Sequence, residues 1–305
     1  MIKIDLNFVE LPFLVPVPVR GRLIQKNRFL KVSVLEETYY LSVLPHFHDI
    51  TLEEVSFKLQ FIFSNYEFNF KEVNLEKRFF NTLPDDQFLS SIKDEMLFQI
   101  ETIILGMLKK THLHLFNSTE ELKMNDLFSD TNPISSYKDA KCIKIKIDPT
   151  SAFKTLELIK NLSQQNSKTI FRLDGNRRFE IWEMIHFYDV LRKGLDSTTF
   201  LKIDYLEEPL KNFYDTFLLE KRSEIKIALD ESCKNYMQHS ESVSNIFVLK
   251  PSLIGLSPIF LLLRSRQDLR AIISSSFEHP TVLLGLRELA KLRPKEFHGL
   301  ENFIK

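Results

Sequence analysis

Two hydrophobic patterns follow one another along the chain. In the first part, extended segments are predicted near "IKIDLNFVEL" and "RFLKVSVLEETYYLSVL". A helix is predicted over "DITLEEVSFKLQFIF", where Thr51 can cap the first turn and Glu54, three residues on, completes a capping box. The stretch "DDQFLSSIKDEMLFQIETIILGMLKK" predicts a second, long helix, with acids early and lysines late as the helix dipole prefers. Together these read as an α+β unit over residues 1–118. From about Glu121 short apolar runs alternate with helical stretches: "ELKMNDLF", "KCIKIKI", "TIFRLD", "TFLKIDYL", "EIKIALD", "SNIFVLK" and "RAIISSS", with helices such as "RFEIWEMIHFYDVLRK" and "EPLKNFYDTFLLEK" between them. Such alternation predicts an α/β fold, a parallel sheet with helices outside. The polar residues that end five of these runs, Asp174, Glu207, Asp230, Lys250 and Ser275, are spaced by 33, 23, 20 and 25 residues. That brackets the roughly 30 residues per unit of an eight-unit barrel of about 250 residues.

Composition narrows the function. Lys plus Arg and Asp plus Glu both total 41, so the net charge is zero, and neither a nucleic-acid groove nor an anionic membrane is expected as partner. Two cysteines, Cys142 and Cys233, are too few for a disulfide framework. The apolar N-terminus is interrupted by Lys3, Asp5, Glu10 and prolines, unlike a signal peptide, and "LIGLSPIFLLL" is too short to span a bilayer. A cytoplasmic protein is expected. The seven glycines form neither GxGxxG nor GxxxxGK[ST], so dinucleotide and P-loop readings lose their support and the chemistry must rest on side chains. The pairs His46/His48 and His112/His114 lack the further ligands of a zinc site. Trp182 and the many phenylalanines are read as core.

In a closed parallel barrel all strand C-termini meet on one rim. Asp174, Glu207 and Asp230 would converge there from three successive strands. Any one of them could be a solvated strand end. Three together repel unless a cation sits among them, and oxygen-only ligation suits a hard metal such as Mg2+. In "KCIKIKID", Lys144 and Lys146 are two apart and so face one way on a strand, while Ile143, Ile145 and Ile147 face the other. Two neighbouring ammonium groups depress each other's pKa, which makes a lysine a usable base; a solvated edge strand is the alternative. Lys250 would approach the rim from the other side. Arg172, two before Asp174, also faces inward and is expected to pair with a rim carboxylate. Ser274, Ser275 and Ser276 offer hydroxyls and backbone N–H groups to a substrate carboxylate.

At this point the motifs carry a resemblance. "KIKI", "FRLDGN", "DYLEEPL", "IALDES", "VLKPSLIG" and "ISSSFE", in this order, resemble the enolase superfamily and, within it, the o-succinylbenzoate synthases of menaquinone biosynthesis. The likeness is dense from about residue 120 to 290, and "VLPHFHDITLEE" resembles the family's cap loop. It implies a modified (β/α) TIM-type barrel over 119–305 beneath an N-terminal α+β capping domain over 1–118. It implies Mg2+, with Mn2+ as a substitute, on Asp174, Glu207 and Asp230, the first glutamate of "EEP" being preferred to Glu208. Lys146 would be the base with Lys144 beside it, Lys250 would lie across the substrate, and Arg172, Asn176, Ser274, Ser275 and Ser276 would line the substrate site. The implied reaction is a lyase step, syn-dehydration of 2-succinyl-6-hydroxy-2,4-cyclohexadiene-1-carboxylate to 2-succinylbenzoate through a metal-stabilised enediolate. Relatives racemise N-succinylamino acids, epimerise dipeptides or cycloisomerise muconate. The partner expected is a small carboxylate; oligomeric state is left open, a monomer included. Three departures stand out: Asp148 where the family has glycine, the cap loop Pro45–Asp49 with His46 and His48, and a C-terminal return to the cap that reads as short. A Schiff-base lyase built on Lys146 or Lys250 and a non-catalytic binding barrel remain as readings from other classes.

Overall fold

The computed structural model describes residues 3–19, 22–44, 47–65, 94–110, 121–236, 244–301 and 304. It begins with a three-stranded antiparallel sheet in the order β1 (Ile4–Val19), β2 (Arg22–Val34), β3 (Glu37–Ser42). Pro12, Pro16 and Pro18 fall on β1, the outer strand of this sheet, which tolerates residues that have no N–H to give. The segment read as one extended run, "RFLKVSVLEETYYLSVL", is two strands. Leu35 and Glu36 turn between them with φ of 49° and 67°, the left-handed pair whose twist suits a tight hairpin. The capping box is present at α1 (Leu52–Asn65): Glu54 N–H donates to Thr51 Oγ1 at 3.2 Å, and Thr51 N–H donates to Glu54 Oε2 at 2.7 Å. The second predicted helix is described as α2 (Asp94–Lys110); its earlier part, 85–93, lies outside the described residues, as do His46, His112 and His114.

The remaining strands are all parallel. They are β4 (Lys123–Met124), β5 (Asp126–Leu127), β6 (Cys142–Lys146), β7 (Ile170–Asp174), β8 (Ile203–Glu207), β9 (Lys226–Ala228), β10 (Ile246–Leu249), β11 (Arg270–Ile273) and β12 (Phe297–His298). β5 through β9 form one sheet in chain order. A bridge from Leu229 to Phe247 passes the pairing to β10, and β10 pairs with β11. A bridge from Ser274 to Gly299 leads on to the β12 segment, and β12 pairs with β4, one residue before β5. The pairings thus run in a circuit.

As the alternation predicted, Ile143, Ile145 and Ile147 face outward. They pack with Phe171 and Leu173 beneath Leu156, Ile159 and Leu162 of α3 (Ala152–Gln165) and Met184, Phe187 and Leu191 of α4 (Ile181–Gly194). Tyr205, Ala228, Ile246, Val248 and Ile272 form a separate small cluster. Trp182 is not core. It is 67% exposed, because α4 turns Met184, Phe187 and Leu191 to the sheet and leaves the opposite face to water.

Arg172 corrects another expectation. It is inward and 1% exposed, yet it does not pair with a rim acid. Its Nε donates to Asp204 Oδ2 at 3.1 Å, a second nitrogen lies 3.5 Å from Glu296, and the guanidinium stacks over Tyr205. Arg270 completes the group with bonds to both Asp204 and Glu296. Asp204 lies near the start of β8, three residues before the acid at its end. Two arginines thus answer two carboxylates inside the fold.

One apolar cluster crosses residue 118. Leu30, Leu41, Val55, Ile62, Ile100 and Ile104 pack with Leu249, Ile259, Ile273 and Leu286. At its centre Glu101 of α2, fully buried, accepts the Leu256 N–H, the Ser257 N–H at 3.0 Å and the Ser257 hydroxyl. These are the first donors of α6 (Leu256–Ser265), which no residue within that helix can satisfy. Among the described residues near the C-terminus, Ile304 bridges Phe13 on β1. Among the described residues no helix is long and apolar enough to cross a membrane. Helices α5 (Thr216–Arg222) and α7 (Pro280–Ala290) follow β8 and β11.

Two predictions follow from these buried polar groups. Glu101→Ala orphans the buried donors of α6 and is expected to cost about 1–3 kcal/mol. The urea midpoint should fall at unchanged slope, and an unmoved midpoint would show that the cap is dispensable. His298 is buried, accepts the Ile273 N–H on Nδ1 at 3.0 Å and donates from Nε2 to the Arg293 carbonyl at 3.0 Å, so it is neutral. Burial lowers its pKa from 6.5 to about 4. The unfolded chain therefore binds the extra proton over that interval, and stability rises with pH through it and is fully present above 6.5. His298→Asn should flatten the slope of unfolding free energy against pH between these limits. Equal slopes in variant and wild type would locate the acid sensitivity elsewhere.

Candidate active site

Sequence and pairing register bring the predicted residues to one end of the parallel strands. Asp174 and Glu207 are the last residues of β7 and β8 and stand opposite each other in register, and Lys146 at the end of β6 pairs with Asp174. Asp230 follows β9 by two residues and Lys250 follows β10 by one. Gly175 lets the chain turn here against Pro209: a Cβ would meet Pro209 Cα at 2.5 Å.

Lys144 joins two of the acids, with Nζ 2.6 Å from Glu207 Oε1 and 2.9 Å from Asp174 Oδ2. Lys250 pairs with Asp230 and, at 3.0 Å, with Glu231. Its ammonium also lies 5.7 Å from the Phe47 ring, which places the loop after β3 beside the rim. The three acids are buried. Burial pushes the Glu207 and Asp230 carboxyls up against the pull of the lysines. At Asp174 burial acts the same way but loses to Lys144, and the carboxyl is held below its ordinary value.

The two lysines of "KIKI" share a side of β6, yet they differ. For Lys144 burial is overridden by Asp174, Glu207 and Asp230, and its pKa stands well above the ordinary value. The expectation that the pair depress each other therefore fails for Lys144. It holds for Lys146: burial lowers its pKa, Asp174 resists, and Lys144, Lys250 and Arg178 add to the lowering. Lys146 has no ion-pair partner among the described residues.

The remaining expected residues are placed differently. Asn176 turns back on Asp174, donating from Nδ2 to Oδ1 at 2.8 Å. The N–H groups of Ser274, Ser275 and Ser276 are all engaged, with Leu249 O, Gly299 O and Glu278 Oε2, so the backbone here has no donor left for a ligand. Asp148, the departure after the lysine strand, closes its own turn by accepting from Thr150. His48 is buried with Nδ1 on the Leu44 N–H at 2.8 Å, and burial lowers its pKa to about 4.

Three further acids were given no site role from the sequence, Glu208 having been passed over in favour of Glu207. Glu231 shares Lys250, Glu208 is buried beneath the rim, and Glu278, also buried, has its carboxyl pushed up to about 7 by burial. Adjacency in "DES" and "EEP" was the available signal for the first two. Nothing in "SSSFE" marked the third.

Whether a hard cation suits this place can be judged from its donors. Asp174, Glu207 and Asp230 supply oxygen only, and Glu207 Oε2 and Asp230 Oδ1 are buried without a hydrogen-bond partner. As placed, with ammonium groups among them, no three acid, imidazole or thiol groups of the described residues stand close enough to grip one ion. The donor set fits a divalent cation in kind, and two of its oxygens are free to serve one.

Comparison with known proteins leads to the same relatives. No family model matches the chain. The o-succinylbenzoate synthase of Aliivibrio fischeri (strain MJ11) is 31% identical over 190 residues, covering 58% of this chain and 55% of that protein. The chain thus matches about half the length of that curated relative. Among solved structures, the o-succinylbenzoate synthase from Thermosynechococcus elongatus BP-1, complexed with Mg in the active site, superposes with a TM-score of 0.70 at 17% identity, covering 97% of this chain and 92% of that one. The muconate lactonizing enzyme from Pseudomonas fluorescens gives 0.73 at 14% identity, with coverage of 98% and 87%. The L-Ala-D/L-Glu epimerase from Bacillus subtilis gives 0.72 at 12% identity, with coverage of 99% and 89%. The resemblance carried by the motifs is therefore met twice more: in sequence to o-succinylbenzoate synthase, and in fold to solved structures that include one.

Proposed function

We propose that the chain is an o-succinylbenzoate synthase of the enolase superfamily, a carbon–oxygen lyase that dehydrates 2-succinyl-6-hydroxy-2,4-cyclohexadiene-1-carboxylate to 2-succinylbenzoate. The observation that carries this reading is the meeting of Asp174, Glu207 and Asp230 with Lys144, Lys146 and Lys250 at one set of strand ends. The circuit of parallel pairings is read as the modified (β/α) barrel. The antiparallel sheet with α1 and α2 is read as its cap, dividing near residue 118.

Asp174, Glu207 and Asp230 would hold Mg2+, with Mn2+ as a substitute. A bound divalent cation supplies a fixed positive charge against which negative charge developing on the substrate carboxylate is stabilised. Lys146, neutral in a larger fraction than an ordinary lysine, takes the proton from the carbon α to the carboxylate. As its conjugate acid it returns that proton to the departing hydroxyl on the same face, so that water leaves and the ring becomes aromatic. Lys144 stays charged between Asp174 and Glu207 and keeps the proton affinity of its neighbour low. Lys250 remains an ammonium and faces the bound ring from the other side, with Phe47 alongside.

Epimerases and muconate lactonizing enzymes share this fold as closely as the synthase does. The synthase is preferred because the sequence relative carries that name. Ultraviolet detection of aromatic product from the cyclohexadiene, with Mg2+ and with EDTA, separates the readings. Product that forms equally well in EDTA, or an adduct trapped by borohydride, would point to a Schiff-base lyase. Lys146→Ala should lose at least the ~10²–10⁴-fold that removal of a general base costs. Wild-type turnover in that variant, with circular dichroism unchanged, would remove Lys146 from the mechanism.

A further inference from the structure

Glu207 and Glu208 are neighbours with opposite fates. Glu207 ends β8 with one oxygen unpartnered. Glu208 adopts a φ of 33°, uncommon for a residue with a side chain, and this turns its buried carboxylate beneath the next loop. Oε2 accepts the N–H of Asp230 at 2.7 Å and that of Ser232 at 3.2 Å. Oε1 accepts Arg177 Nε at 2.5 Å, and a second guanidinium nitrogen of Arg177 meets the same oxygen. Both oxygens are thus taken, which leaves Glu208 without a free donor atom for a metal.

Arg177 is fixed in return. Its φ is 55°, and its N–H donates to the Glu208 carbonyl at 2.8 Å, so the two residues are tied by backbone and by side chain. Asn176, also left-handed at 46°, holds Asp174 on the other flank. A left-handed backbone at three residues around one ion pair is costly, and it persists where the surroundings over-determine it.

We propose that Glu208 is a positioning residue for Asp230: with Arg177 anchoring one oxygen, the other clamps two amides of the loop after β9 and so aims the Asp230 carboxylate into the metal site. This inference rests on the reading of Asp230 as a metal ligand. A carboxylate reaches a metal only in a narrow range of directions, and the groups that orient ligands typically govern ~10–100-fold of metal affinity. Glu208→Gln can still accept the amides on its carbonyl oxygen, but it turns an NH2 toward Arg177 and loses the charged anchor.

The test is a titration of the chelator-treated full chain with Mn2+ alone, free ion being read by electron paramagnetic resonance, with thermal unfolding in parallel. Wild type should bind and Glu207→Gln should lose most of the affinity. Glu208→Gln should bind roughly 10–100-fold more weakly at a near-native melting temperature. Arg177→Met, at a half-exposed position, should shift affinity in the same direction by less. The double variant should be no weaker than Glu208→Gln, because both act through one contact. Native Mn2+ affinity in Glu208→Gln and Arg177→Met, beside a weakened Glu207→Gln, overturns the positioning role and leaves the metal site standing. Should Glu208→Gln not fold, the Arg177→Met arm decides alone. Absence of Mn2+ binding by wild type overturns the metal reading and this inference together.

Discussion

Three carboxylates buried at neighbouring strand ends repel one another, and the circuit of strands can carry them only with positive charge in their midst. Lys144 stands between Asp174 and Glu207, Lys250 answers Asp230, and the cost that remains shows as Glu207 and Asp230 carboxyls pushed upward. A group of charges held this tightly is a poor choice for stability, since apolar residues of similar size fold at least as well. Its presence is better explained by work done on a ligand. The rest of the structure supports this one arrangement: outward-facing isoleucines and helices hold the strands in register, and the network of Arg172, Asp204, Arg270 and Glu296 satisfies further buried charge within the same strands.

Acids placed one step behind the rim do a different kind of work. Glu101 closes the start of α6 from across the apolar cluster, and Glu208 closes the loop that carries Asp230. In each case a carboxylate accepts backbone N–H groups that have no partner nearby in sequence. Each thereby fixes the position of a segment that belongs to another element. The first ties the N-terminal unit to the parallel strands, so that the loop bearing Phe47 is held beside Lys250. The second sets the direction of a rim acid.

Legibility in the sequence followed the range of the interaction. The strand–helix alternation, the capping box at Thr51 and the inward and outward faces of β6 are local, and local patterns of period two or four carry them. The three acids and Lys250 were legible because strand ends in a parallel arrangement must share one side. Residues whose role depends on a distant partner were not. Arg172 shares parity with Asp174, but parity says nothing of depth, and Asp204 with Glu296 claimed it. The hairpin at Leu35–Glu36 carries none of the Asn or Gly that usually marks such a turn. Trp182 was read as core, whereas helix phase put it outside.

Lys144 and Lys146 show why residue type and spacing stop short of chemistry. Both sit on one strand, two residues apart and on one side, so pattern alone gives them equal claims to be the base. The structure separates them by what each meets. Lys144 lies among three acids that keep its proton in place, and a lysine that cannot lose its proton cannot accept one. Lys146, one step nearer the mouth, is left with a single acid and three cations around it, and its proton is held less firmly. The charged neighbour therefore helps to hold the pKa of the other lysine down, and the acids that bind Lys144 act on Lys146 through it. A strand that carried only the second lysine would lose the ion pairs that answer Asp174 and Glu207, and with them the repulsion that lowers the proton affinity of Lys146.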